Sequence, residues 1–121
     1  MPVPRTIEWI PESRNRLVPG HIRMIDQTLL PARLSFIETT DIHKVWRAIK
    51  TLQVRGAPAI GIAAAMGVAA AVQVSRAKSG IQLAKEACKA ADYLATSRPT
   101  AVNLFWAVKR MKKLASGNSN L

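Results

Sequence analysis

Two junctions carry residue types that suit an anion. At Val54-Arg55-Gly56-Ala57-Pro58 an arginine stands just ahead of a helix start, with glycine and proline between. At Ser97-Arg98-Pro99-Thr100 an arginine again precedes a helix start. The first amides of a helix have no acceptor within it, and its dipole is positive there. A phosphate is the anion best matched to such a place. Gly56 permits close backbone approach to a ligand. Arg55 and Arg98 each offer a fork of donors to phosphate oxygens. Side by side, the two loops would form one cradle of Arg55, Gly56, Ala57 and Arg98. The plainer alternative is two ordinary helix entries with surface arginines. A Walker loop is excluded by the missing Lys-Ser/Thr end. The spacing of Gly56, Gly61 and Gly67 excludes a dinucleotide fingerprint.

The other reactive side chains read as structural. Cys88 falls on the apolar face of a helix with Ala84, Ala87 and Ala91, whereas a reactive thiol needs a polar, electropositive setting. His21 follows Pro19-Gly20, and His43 falls on the polar side of a helix. Neither has a second metal-ligand type at useful spacing, so no metal site and no cofactor is expected. Asp26 and Glu38 are isolated along the chain, and Asp26 is placed to order the turn before Thr28. Lys109-Arg110-Met111-Lys112-Lys113 is the densest basic run. It reads as cations at a helix C-terminus rather than a nucleic-acid site, with no exposed aromatic platform expected. Trp9, Trp46 and Trp106 are expected in the core.

The elements that must position these residues fall into two halves. Thr6–Ile10 alternates polar and apolar and is expected to stop at Pro11. A polar loop from Ser13 to Gly20 follows, then strands at His21–Ile25 and Arg33–Ile37. From Thr40 the period becomes helical. Ile42, Val45, Trp46, Ile49 and Leu52 form one stripe, with Thr40 as its N-cap and Asp41 in the first turn. A second helix should start near Pro58 and run to about Arg76. It is apolar or small on nearly every face and should be buried all round. Ser79-Gly80 separates it from a third helix with Ala84, Ala87, Cys88, Ala91 and Leu94 on one face. A fourth carries Ala101, Leu104, Phe105, Val108, Met111 and Ala115. The fold class is therefore α+β, a small antiparallel sheet followed by a bundle of about four helices. One domain is expected over residues 1–121: strands at about 5–38, helices at about 41–115 and a frayed tail at 116–121.

The whole chain of 121 residues is 49% apolar but only 5% aromatic. Its core must therefore rest on closely approaching, alanine-rich helices, and it is not a disordered chain. One cysteine excludes an internal disulfide. With 18 Lys/Arg against 7 Asp/Glu, the net charge of +11 favours anionic partners. The N-terminus has no signal-peptide pattern, and the uncharged run from Gly56 to Ser75 is too weakly apolar for a membrane span. A cytoplasmic location and no membrane partner are expected.

Several segments resemble a known family. They are Pro4-Arg5-Thr6-Ile7-Glu8-Trp9, Asp26-Gln27-Thr28-Leu29-Leu30-Pro31, Val54-Arg55-Gly56-Ala57-Pro58-Ala59-Ile60-Gly61 and Ser97-Arg98-Pro99-Thr100-Ala101-Val102-Asn103-Leu104-Phe105-Trp106-Ala107. In order and gaps they are similar to the N-terminal part of the methylthioribose-1-phosphate isomerases, as far as about Lys113. The relatives of these enzymes include ribose-1,5-bisphosphate isomerase and the regulatory subunits of translation initiation factor 2B. The resemblance implies aldose–ketose isomerisation of 5-methylthioribose 1-phosphate to the ketose in methionine salvage, without metal or nucleotide cofactor. It implies that Arg55, Gly56, Ala57 and Arg98 bind the substrate. It also implies that the catalytic cysteine and aspartate belong to a downstream Rossmann-like domain. No counterpart of that domain lies in these residues, so the chain is expected to bind the sugar phosphate without catalytic residues of its own. A catalytic domain or a second copy is then the expected protein partner, and nucleic acid is not. Two alternatives remain open: a non-catalytic regulatory module kin to the initiation-factor subunits, and a ribose-1,5-bisphosphate isomerase fragment.

Overall fold

A computed structural model describes residues 6–54 and 56–115. The architecture is α+β. Strands β1 (Ile7–Ser13), β2 (Arg16–Ile25) and β3 (Phe36–Thr39) form an antiparallel sheet in the order β1-β2-β3. Helices α1 (Ile42–Lys50), α2 (Ala57–Val72), α3 (Gly80–Ala95) and α4 (Val102–Ala115) follow. The expected tail at 116–121 and the start of the chain through Arg5 lie outside the described residues.

The sheet is longer than the sequence reading has it. β1 does not stop at Pro11 but runs on to Ser13, and residues 16–20 are strand rather than loop. Proline lacks the ladder donor, yet β1 is an edge strand, where that loss is tolerated. Pro19 sits in the central strand, but β3 pairs only with Ile22 to Ile25, so β2 is unpaired on that side at Pro19. Pro11 faces Gly20 across the hairpin. A Cβ on Gly20 would lie 2.5 Å from the Trp9 indole, so the glycine makes room for that ring. The indole N–H in turn donates to the Leu17 carbonyl at 2.6 Å. The third strand begins at Phe36 rather than Arg33. Residues 33–35 are an irregular segment after the turn, in which the Arg33 amide donates to Leu29 O and Ser35 O accepts from the Asp26 amide.

Asp41, not Thr40, caps α1, and its carboxylate accepts from the His43 amide at 2.9 Å. Val45 and Ile49 are buried, but Leu52 lies past the helix end, partly exposed, at a φ of 65°. The central helix is α2, which packs against α1, α3, α4 and the β1–β2 hairpin. Its described side chains are all buried or half-buried except Pro58 and Ile62. It ends at Val72 rather than near Arg76, and the Gln73 carboxamide then bonds both the amide and the carbonyl of Gly20 at 2.9 Å. That pair fastens the hairpin to the helix end.

In α3 the expected face is buried at Ala87, Ala91 and Leu94, and Cys88 is half-buried beside it. In α4, Leu104 and Val108 are buried. Phe105 and Trp106 are not core residues but more than half exposed. They sit one and two residues past Leu104, rotated by about 100° and 200° from the buried stripe. Trp9 and Trp46 pack half-buried against the core, with the Trp46 indole donating to Thr96 Oγ1 at 2.9 Å. No described helix is long and apolar enough to cross a membrane.

Candidate functional site

The loop leading into α2 is held from below by Asp26. One carboxylate oxygen accepts from the Thr28 amide and hydroxyl, at 3.0 and 2.5 Å, and the other from Gln53 Nε2 at 3.0 Å. The Gln27 amide donates to the Gln53 carbonyl at 2.8 Å, and the Val54 amide to Ala48 O at 3.1 Å. Burial pushes the Asp26 carboxyl upward. The hydrogen bonds from Thr28 and Gln53, with the charge of Arg33, outweigh it and hold the group below its ordinary value. Asp26 therefore orders the turn before Thr28 and also anchors the segment that delivers Gly56. Gly56 has φ 94° and ψ 130°, a backbone region that essentially only glycine adopts. Its carbonyl accepts the first helical bond, from the Ile60 amide at 3.1 Å. No side chain caps this helix start. Ala57 supplies the first backbone of α2. Arg55 lies outside the described residues.

The second loop leaves α3 through a tight turn. Ser97 is fully buried, and its hydroxyl and amide both donate to Leu94 O, at 2.6 and 3.1 Å. Arg98 follows, half-buried, and its carbonyl accepts from the Ala101 amide at 3.0 Å. The Ala101 carbonyl takes the first bond of α4, from Phe105. The Arg98 guanidinium makes no ion pair or hydrogen bond among the described residues.

The structure brings the two loops together. Gly56, Ile60, Arg98, Ala101, Val102, Asn103 and Leu104 line one cleft of about 300 Å³. The N-termini of α2 and α4 both open there, and neither helix has an acidic residue in its first turn. Two positive dipole ends, free backbone amides and an unpaired guanidinium make an environment for an anion. The lining has no Asp, Glu, His or Cys, so these side chains offer no group to move a proton at neutral pH. Asn103 is the functional candidate that the sequence reading did not single out. Its signal was available, as a polar residue one position into a helix whose approach loop carries Arg98. A separate groove of about 480 Å³ between α2 and α4 includes Gly61, Ile62, Trp106, Ala107 and Met111.

Several other polar residues singled out in the sequence find partners. Glu38 is not isolated: it meets His21 Nε2 at 2.8 Å across β2 and β3. His43 Nδ1 lies 2.9 Å from the Tyr93 hydroxyl. Among the described residues no three His, Cys, Asp or Glu side chains come together to hold a metal. Within the basic run, Lys112 is paired with Asp92 at 2.8 Å. Lys109 lies over the rings of Trp106 and Phe105, at 5.5 and 6.0 Å, so α4 does expose an aromatic pair beside its cations.

Residues 53–120 match the Initiation factor 2 subunit family. The 5-deoxyribose 1-phosphate isomerase of Moorella thermoacetica is 56% identical over 94 residues, 78% of this chain and 27% of that protein. Methylthioribose-1-phosphate isomerase 2 of Pseudothermotoga lettingae is 46% identical over 93% of this chain and 30% of its own length. Among solved structures, the 5-methylthioribose 1-phosphate isomerase of Pyrococcus horikoshii superposes with a TM-score of 0.80 at 40% identity, over 98% of this chain and 31% of that one. The delta subunit of translation initiation factor 2B from A. fulgidus gives 0.71 at 36% identity, over 96% of this chain and 35% of that one. The chain spans under a third of the length of these curated relatives.

Proposed function

We propose, from the premise that this chain belongs to the Initiation factor 2 subunit family, that it is the phosphate-binding part of a sugar-phosphate isomerase. The leading substrate is 5-methylthioribose 1-phosphate, converted to 5-methylthioribulose 1-phosphate in methionine salvage in the cytoplasm. The names of the relatives make 5-deoxyribose 1-phosphate the other substrate to test. The carrying observation is that Gly56 and Arg98, far apart in sequence, line one cleft at two helix N-termini with no carboxylate in it. In this reading the phosphate sits against the amides of the Gly56–Ala57 turn, with Arg98 donating to its oxygens; Arg55, outside the described residues, is a second donor on the ground of the resemblance alone.

Isomerisation at adjacent carbons needs an acid and a base, or an equivalent hydride route. The described residues of the cleft lining include neither an acid nor a base; in this reading the 121-residue chain binds the sugar phosphate and does not turn it over. The catalytic groups come from residues outside it. A second reading, a non-catalytic regulatory module, draws on the likeness to the initiation-factor subunit. Ligand binding separates the two.

Amide NMR shifts of the 121-residue chain are followed on titration with inorganic phosphate and with 5-methylthioribose 1-phosphate. Shifts are expected at Gly56, Ala57 and the first turn of α4, and Arg98→Ala should weaken binding by roughly tenfold or more. Shifts that avoid both loops, or that survive Arg98→Ala unchanged, refute the phosphate site and favour the regulatory module. The same preparation should form no ketose. Turnover abolished by a substitution within this chain would refute the division of labour.

A further inference from the structure

Asn103 stands in the first turn of α4, exposed, and lines the cleft together with Gly56 and Arg98. It also lines the groove between α2 and α4, so it forms the border between the two. An asparagine near a helix start commonly turns its side chain back onto a free backbone amide. Here that bond is not made, and the carboxamide has no hydrogen-bond partner among the described residues. Its chemistry also differs from that of its neighbours in the cleft. A guanidinium and backbone amides are donors only, which suits a phosphate dianion. A carboxamide both donates and accepts, which suits a neutral hydroxyl.

We infer that Asn103 positions the sugar: its carboxamide hydrogen-bonds a hydroxyl of a pentose phosphate whose phosphate lies between Gly56 and Arg98. The inference rests on the reading of this cleft as a phosphate site and adds a residue that tells a sugar phosphate from free phosphate. Lying at the cleft border, one position past Val102 on the same helix, Asn103 fixes which way the sugar leaves the phosphate.

The test uses the 121-residue chain and two probes, inorganic phosphate and 5-methylthioribose 1-phosphate, titrated by calorimetry or amide NMR. Asn103→Ala should keep its affinity for inorganic phosphate within about twofold and weaken the sugar phosphate by roughly 3- to 10-fold. Asn103→Asp should weaken both probes, because it sets a carboxylate beside the anion. Equal losses on both probes in Asn103→Ala, or no loss on either, overturns the inference, as does an Asn103→Asp variant that binds phosphate normally. Thermal melts of each variant identify a loss that comes from misfolding, and Asn103→Gln provides a folded control expected to fall between Ala and wild type. The phosphate reading fails separately, by an Arg98→Ala variant that still binds inorganic phosphate. A wild-type chain that binds neither probe overturns both.

Discussion

Asp26 is a buried carboxylate whose three accepted hydrogen bonds tie the turn at Thr28 to the segment that leads into Gly56. Burial raises its pKa, and the bonds from Thr28 and Gln53 with the charge of Arg33 lower it further than burial raises it. A carboxylate depressed in the folded state stabilises the fold above its unfolded pKa of about 3.9 and loses that contribution as pH falls through the lower folded value. Asp26→Asn should therefore cost stability at pH 7, on the order of 1–3 kcal/mol. The gap between variant and wild type should narrow as pH falls below about 4. Thermal melts of both proteins at pH 7 and pH 3 measure it, and an equal gap at both pH values would show that the carboxylate charge is not what holds the turn. The role of Asp26 in its turn is readable in the sequence, because an Asx turn involves residues two apart. Its bond to Gln53 is not, since that contact depends on how the segments after β2 and α1 are folded together. Gly56 and Arg98 are readable as types that suit phosphate. That they share a cleft depends on α2 lying against α4, which no local pattern encodes.

At the scale of elements, periodicity placed all four helices to within a few residues and placed the strands less well. Pro11 and Pro19 read as breaks because a proline ends a fully paired strand, and only the pairing map shows that both sit where a ladder donor is not needed. Helical spacing puts Phe105 on the core stripe and residue type puts Trp106 in the core, while the helix turns both to solvent beside Lys109. The two interior glycines of α2 separate local from tertiary effects. In a helix interior, Gly→Ala gains about 0.5–1 kcal/mol from backbone entropy. A Cβ at Gly61 meets Ala107 Cβ at 3.5 Å and Asn103 O at 3.6 Å, both ordinary contacts. A Cβ at Gly67 lies 2.9 Å from Leu94 Cδ1 and 3.1 Å from Val45 Cγ1, and both neighbours are fully buried. Overpacking of this kind costs about 1–3 kcal/mol. Gly61→Ala should raise stability by up to about 1 kcal/mol, and Gly67→Ala should lower it by up to about 2.5 kcal/mol, the difference between the two opposing terms. Urea denaturation of the two variants is decisive, since the same sign for both would mean that helix propensity, and not the crossing of α2 with α1 and α3, sets the requirement for glycine.

At the scale of the whole molecule, an alanine-rich core leaves large side chains outside. Ile62, Val102, Phe105, Trp106 and Leu114 are exposed on α2 and α4, and Leu17 and Val18 on the hairpin. Leu17, Val18, Trp9 and Met66 border an apolar hollow of about 350 Å³ beneath the hairpin. Monomeric proteins seldom expose contiguous apolar patches beyond a few hundred Å². The α4 face is visible only once the helix is packed, because its exposed side chains share the helix with the buried Leu104 and Val108. Against this apolar surface stands the net charge of +11, which repels a second copy at low salt. The Debye length falls from about 30 Å at 0.01 M to about 3 Å at 1 M, so salt removes the repulsion and leaves the apolar attraction intact. The 121-residue chain should therefore self-associate more strongly as salt rises, the reverse of an association held by ion pairs. Sedimentation equilibrium at low and high salt measures the oligomer fraction, and Phe105→Ser with Trp106→Ser should lower it at high salt while leaving the thermal melt nearly unchanged, since both side chains are exposed. A chain that stays monomeric at both salts, or an association that salt weakens, would show that the exposed apolar surface does not drive contact between copies.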